Sequence, residues 1–163
     1  MERLIIIMDK SFFEEALKIN SSSVNKEGLY GSTVEFFKNY NIPSEAIEFL
    51  KEFSFNTNVR FKHVYFDRVN DIPDNNLYEE NKKCISNGLL IIGSGLNGDF
   101  IVIELSTLKV GYVFHDEIWE NESANVYDSF ISLNCTIGEF YYKSLTDDAF
   151  PVDGYQAEEY MKK

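Results

Sequence analysis

A glycine-rich segment at residues 93–98, GSGLNG, matches the G-x-G-x-x-G spacing with which many proteins bind the pyrophosphate of a dinucleotide. In such sites the last glycine leads into a helix, whose N-terminal N–H groups hold the phosphates. Here the segment leads into residues 99–105, DFIVIEL, which have the composition of a β-strand. We therefore predict a β-turn between two strands at this position, and no cofactor.

Two histidines and two cysteines are the other residues that could take part in catalysis or bind a metal. His115 precedes Asp116 and Glu117, but His63 is distant in sequence and no H-x-x-x-H or C-x-x-C pair occurs. A zinc site needs three or four such ligands. We expect His115–Glu117 to form a solvated turn after a strand and Cys135, next to Leu133 and Ile137, to be a small buried side chain. The sequence thus predicts no catalytic residues, no metal and no enzyme.

The segment between Lys109 and Lys143 contains no Lys or Arg, and its acidic residues surround the only tryptophan, Trp119. An exposed tryptophan among carboxylates is typical of a surface that binds a basic protein, because the indole supplies contact area and the charges accelerate association. Tryptophan is also usually largely buried, so a core position for Trp119 is the alternative. The candidate partner-binding residues are Asp116, Glu117, Trp119, Glu120 and Glu122.

The overall charge restricts the class of partner. Of the 163 residues, 15 are Lys or Arg and 27 are Asp or Glu, which makes the formal net charge −12. Binding to nucleic acid through a broad basic face, or to anionic lipid through a polybasic anchor, is excluded by this balance. The apolar runs are far shorter than a membrane span, and the start of the chain is too short and acidic for a signal peptide. We expect a cytoplasmic protein.

The order of predicted elements is typical of an α+β fold. Capping boxes predict helices from Ser11 and from Ser32, and Pro43 is expected to open a third helix. An apolar run at residues 4–8 favours a short strand over an extension of the first helix, and the serines at 21–23 indicate a loop. The remaining predicted elements are an extended segment over 59–66, a polar helix over 77–85, strands over 89–92, 100–105, 110–114 and 130–133, a helix over 137–145, and a frayed acidic tail.

Four segments of the chain resemble a known family. They are residues 41–50 (NIPSEAIEFL), 89–101 (LLIIGSGLNGDFI), 110–117 (VGYVFHDE) and 137–140 (IGEF). They are similar, in this order, to the opening helix, the central strand–turn–strand, the following strand and the closing helix of the SUKH superfamily. This superfamily includes fungal cell-wall-synthesis regulators and bacterial immunity proteins. The likeness covers about residues 32–145 of a chain that we interpret as one SUKH-like domain, 1–163.

The resemblance implies a central, mainly antiparallel sheet (a meander) with flanking helices. It also implies a non-enzymatic protein that binds and neutralises a toxin, often a nuclease. The acidic charge agrees with such a partner, because a nuclease has a basic groove for phosphate. The alternative is a regulatory scaffold like the cell-wall regulators, although those have long disordered flanks for which this chain shows no polar tract.

Overall fold

The computed structural model describes the backbone of residues 2–20 and 24–162 and the side chains of residues 10–20 and 24–162. Within these residues the chain forms eight α-helices and one six-stranded sheet. The helices are α1 (Glu2–Ile19), α2 (Gly31–Asn39), α3 (Ser44–Glu52), α4 (Ile72–Leu77), α5 (Lys82–Ser86), α6 (His115–Glu120), α7 (Ile137–Thr146) and α8 (Gly154–Met161). The strands are β1 (Val59–Phe61), β2 (Val64–Phe66), β3 (Leu89–Ser94), β4 (Phe100–Glu104), β5 (Lys109–Val113) and β6 (Phe130–Cys135). The loop predicted at 21–23 lies outside the described residues.

The sheet is a meander in which each strand pairs antiparallel with the next, in the order β1 to β6. This confirms the predicted α+β class with flanking helices. Two glycines permit close approach between strands. A Cβ at Gly93 would lie 2.1 Å from the carbonyl oxygen of Tyr65, and a Cβ at Gly111 would lie 2.2 Å from that of Ile131. Each glycine lies beside a register irregularity in the ladder.

Apolar side chains cover both faces of the central strands, so β3 and β4 are apolar almost throughout instead of alternating. On one face, an aromatic cluster from α1, α3 and α7 packs against the sheet, with Phe13 in ring contact with Phe49 and Tyr141. A smaller cluster covers the other face, and Ile118 of α6 belongs to it. Helix α6 is therefore fixed to the second face of the sheet by one buried aliphatic side chain.

The start of the chain differs from the prediction. Helix α1 begins at Glu2, so the predicted strand over 4–8 is wrong and Ser11 lies inside the helix. The second capping box is also absent, since α2 begins at Gly31 after Tyr30, whose side chain forms no cap. A capping pattern is compatible with a helix interior, and packing determines where the helix starts. By contrast, Thr136 and Glu139 do form the reciprocal capping box predicted for α7.

Three short elements lie where the sequence predicted other structure. Of the polar helix expected over 77–85, residues 78–81 form a turn and only residues 82–85 lie in a new helix, α5, while residue 77 ends α4. The extended segment over 59–66 is a hairpin of β1 and β2, because Lys62 has a positive φ and forms the turn. The acidic C-terminal segment is the ordered helix α8 with Ala157 fully buried, so the prediction of a frayed tail is wrong.

Candidate functional site

The candidate site is the outer surface of α6, which follows directly after β5 and Phe114. The helix has six residues, HDEIWE, and Ile118 is its only buried residue. The expectation of a solvated turn at His115–Glu117 is therefore wrong, because these residues form the first turn of a helix. A short helix with a single apolar anchor needs additional contacts to stay in place, and His115 supplies them.

A buried carboxylate holds the start of α6. Asp99 is 2% exposed and follows the glycine-rich turn between β3 and β4. Its Oδ1 accepts hydrogen bonds from Nδ1 of His115 at 2.7 Å and from the backbone N–H of His115 at 3.2 Å. Its Oδ2 accepts from the backbone N–H of Gly154 at 2.9 Å and from Nδ2 of Asn97 at 3.1 Å. Asp99 thus joins the turn, α6 and the start of α8.

The imidazole ring of His115 lies between two carboxylates. Its Nδ1 contacts Asp99, and its Nε2 lies 2.6 Å from Oδ1 of Asp116. Because an ionised carboxylate only accepts hydrogen bonds, both contacts are hydrogen bonds at once when the ring bears a proton on each nitrogen. The contact with Nε2 fixes the position of Asp116 beside the ring.

Trp119 is half exposed, at 50%, and the alternative of a core position is therefore wrong. The indole ring packs edge-on against His115, with 5.0 Å between ring centroids, and against Phe100, with 6.1 Å. Its Nε1–H donates to Oδ1 of Asn81 at 3.0 Å. The ring is thus held from beneath by two aromatic neighbours and at its edge by a hydrogen bond, while the rest of its surface contacts solvent.

The five candidate residues are all exposed, but they do not form one face. Asp116, Trp119 and Glu120 lie together by helical spacing, and we call these three residues the α6 face. Glu117 lies on another side of the helix, where its Oε1 accepts a hydrogen bond from Oγ of Ser129 at 2.7 Å. Glu122 is exposed just beyond the end of α6.

The turn between α4 and α5 extends the surface beside α6. Asn81, which bonds to Trp119, ends a turn that contains the exposed residues Tyr78, Glu79 and Glu80. A basic residue also approaches here, since Nζ of Lys83 donates to the carbonyl oxygen of Asn121 at 2.9 Å. Residues 110–142 contain no Lys or Arg, but the surface around them is not free of basic residues, because Lys83 lies beside them in the folded protein.

Sequence analysis missed Asp99 as a residue of this site. The available signal was an acidic residue at the junction of a glycine-rich turn and an apolar strand, where a free carboxylate is costly unless it is paired. Its partners could not be identified from spacing, because His115 and Gly154 lie 16 and 55 positions away.

The cysteines do not contribute to the site. Cys84 and Cys135 are both buried and are not joined in a disulfide, which agrees with the prediction for Cys135. Burial raises the pKa of the Cys84 thiol to about 12, so that Cys84 is a neutral thiol at physiological pH. Within residues 10–20 and 24–162, no group of three or more His, Cys, Asp and Glu side chains is arranged to hold a metal ion.

An apolar cavity near the surface lies away from α6. It measures about 350 Å³ and lies between the start of α3, the β4–β5 turn and the start of α7. Phe49, Ile103 and Ile137 are among its lining residues, and none of the five candidate residues is. The cavity is therefore separate from the acidic surface.

Comparisons of the chain with protein-family models, with curated proteins and with solved structures found no match. The resemblance to the SUKH superfamily stays a prediction based on sequence segments. In the part of the chain that the structure describes, no helix combines the length and the apolar composition needed to cross a membrane.

Proposed function

We propose that this protein is a non-enzymatic binding protein that neutralises a basic toxin domain, such as a nuclease, by covering part of its surface with the α6 face. The observation on which the proposal depends is Trp119, a half-exposed tryptophan held in a fixed position among carboxylates. Tryptophan is enriched among residues that dominate binding energy, and a rigid side chain loses little entropy when a partner binds.

Charge supports the same partner class. The net charge of −12 and the exposed carboxylates of Asp116, Glu120 and Glu122 complement a basic groove. Such complementarity favours fast association that weakens as salt rises. The acidic face would thus compete with nucleic acid for the basic surface of a nuclease. We further propose a cytoplasmic location, where the protein would meet a toxin that enters the cell.

The experiment is a pull-down of the purified protein with the product of the adjacent gene, at low and high salt, together with an assay of that partner's toxic activity. Glu120→Lys combined with Glu122→Lys is the informative variant, because neither side chain forms a hydrogen bond or ion pair with another described residue. Glu35→Lys combined with Glu48→Lys, on the exposed sides of α2 and α3, is the control with identical net charge.

We expect the α6 variant to weaken binding at least about tenfold at low salt and to reduce the salt dependence, since reversed charges repel a basic partner. The control should bind nearly as tightly as the wild-type protein. Equal weakening in both variants would mean that only net charge matters and that the α6 face is not the binding surface. Capture of the partner without loss of its toxic activity would favour the regulatory scaffold instead.

A further inference from the structure

The exposed part of Trp119 presents a π-face and no polar atom. The single polar atom of an indole is its N–H, and Nε1 of Trp119 already donates to Asn81 within the protein. A partner with a hydrogen-bond acceptor therefore gains nothing specific from this ring. A partner gains from it either by burying apolar surface or by placing a cation over the ring.

The surroundings of the ring favour a cation. Asp116 lies three residues before Trp119 and four before Glu120, so its side chain is adjacent to both on the surface of α6. Asp116 shares its carboxylate with His115, whereas Glu120 has no ion pair with any other described residue. An apolar side chain that covered Trp119 would strip water from these carboxylates without compensating them, which is unfavourable. A cationic group satisfies the ring and the carboxylates at once.

We infer that the α6 face is a recognition site for an arginine side chain of the partner, with the guanidinium stacked on Trp119 and hydrogen-bonded to the neighbouring carboxylates of Asp116 and Glu120. The inference rests on the proposed protein-binding function and names the group that the surface recognises. Arginine fits better than lysine because its planar guanidinium stacks on an aromatic ring while its N–H groups pair with a carboxylate. An ammonium group is a compact, strongly hydrated point charge, which can neither stack on a ring as a plane nor pair with a carboxylate in the bidentate manner of a guanidinium.

The test uses three peptides of six identical residues, made of arginine, lysine or citrulline, the last being an uncharged analogue of arginine. Each is titrated into the full chain at low salt while the emission of Trp119, the only tryptophan, is recorded. We expect the arginine peptide to bind about two- to five-fold more tightly than the lysine peptide, as an exposed cation–π contact implies. The citrulline peptide should not bind. Equal affinity for arginine and lysine, or unchanged emission with the arginine peptide, would overturn the inference.

A variant pair separates stacking on Trp119 from general attraction. Trp119→Leu keeps apolar volume but removes the π-face, and calorimetry should show nearly equal affinities for the arginine and lysine peptides. Tyr155→Leu removes another exposed aromatic ring, on α8, and should keep the preference of the wild-type protein. Loss of the preference in both variants, or in neither, would refute the assignment to Trp119.

If Trp119→Leu does not fold, the wild-type protein still decides the question. Its one indole N–H resonance should shift saturably with the arginine peptide and much less with the lysine peptide. These results are independent of the pull-down. If the charge-reversed α6 variant no longer captures the partner but the arginine preference is absent, the arginine inference is wrong while the protein-binding function stands. An arginine preference without any captured partner would support the inference and contradict the proposed function.

Discussion

Replacement of Asp99 by alanine should destabilise the protein far more than any single surface change. The carboxylate is buried and accepts four hydrogen bonds, two of them from the backbone N–H groups of His115 and Gly154. Each buried donor that loses its acceptor costs roughly 1–3 kcal/mol. Loss of the partner of the His115 ring adds to this cost. We expect a total of about 3–5 kcal/mol, because several buried donors lose their acceptor at once.

Asp99→Asn should be nearly as harmful, although it conserves the shape of the side chain. Oδ1 and Oδ2 each accept two hydrogen bonds in the wild-type protein. An asparagine has one oxygen and one NH₂ group, so one of the two pairs of donors would face another donor. If only the shape of the residue mattered, this variant would be close to the wild-type protein in stability.

The assay is urea-induced unfolding followed by far-ultraviolet circular dichroism, with acrylamide quenching of Trp119 as a local probe of α6. A free energy of unfolding for a domain is typically about 5–15 kcal/mol, so the predicted loss is easily measured. Asp148→Ala is the control, since Asp148 pairs with Lys62 at 3.0 Å but its side chain is 96% exposed. Exposed pairs contribute little, and this variant should be almost unchanged. A loss below about 1 kcal/mol in Asp99→Ala, or a loss equal to that of the control, would refute the role of Asp99.

Three further predictions concern the core, a carboxyl group and the thiols. Gly111→Ala should destabilise the protein by about 1–3 kcal/mol in urea unfolding, because the added Cβ would overlap the carbonyl oxygen of Ile131. The control Gly31→Ala, at the start of α2 where a Cβ meets no other atom, should not destabilise it. Equal effects of the two substitutions would contradict the close approach of β5 and β6. Burial raises the pKa of the Asp67 carboxyl group above its usual value; the negative charge of Asp71 adds to this increase, and a hydrogen bond from Asn75 opposes it. Because the carboxyl group ionises at a lower pH in the unfolded chain than in the folded protein, the free energy of unfolding falls as pH rises from the ordinary pKa to the raised pKa of the folded protein. Asp67→Asn should therefore raise the melting temperature at pH 7 and lose this advantage near pH 3; a lower melting temperature at pH 7 would contradict it. Both cysteines should resist a thiol reagent at pH 8 until urea unfolds the chain, since both are buried and the pKa of the Cys84 thiol is about 12. Rapid reaction of either thiol in the folded protein would contradict the buried position of that cysteine.

The meander was predictable because its strands are β-rich segments separated by short turns, and neighbours in sequence pair with each other. The boundaries of the helices were less predictable. The run at residues 4–8 is rich in isoleucine, which favours a strand locally, yet it continues the helix that buries Phe13 and Ala16. Helices α6 and α8 were missed because each buries few side chains, so their sequences show little apolar periodicity.

The candidate site was predictable in composition but not in geometry. The sequence indicated which segment is acidic and aromatic, and the exposure of Trp119 agrees with a surface role. It could not show that Glu117 bonds to Ser129, that Asp116 is shared with His115, or that Asn81 holds the indole. The contacts of Glu117 with Ser129 and of Asn81 with the indole join residues whose proximity depends on how the elements pack, and the contact of Asp116 depends on the orientation of the His115 ring. Each changes which side chains are available to a partner.

These contacts would also couple stability to the binding that we propose for α6. Ile118 anchors the helix to the core, Asp99 and His115 hold its first turn, and Trp119 packs on His115. Loss of Asp99 would therefore release the ring beneath Trp119 and disorder the surface that we propose for partner binding. We expect Asp99→Ala to weaken partner binding even where most of the protein remains folded, although Asp99 itself is buried. If that variant binds the partner as tightly as the wild-type protein under conditions in which it is folded, then the fixed position of Trp119 is not what the partner requires.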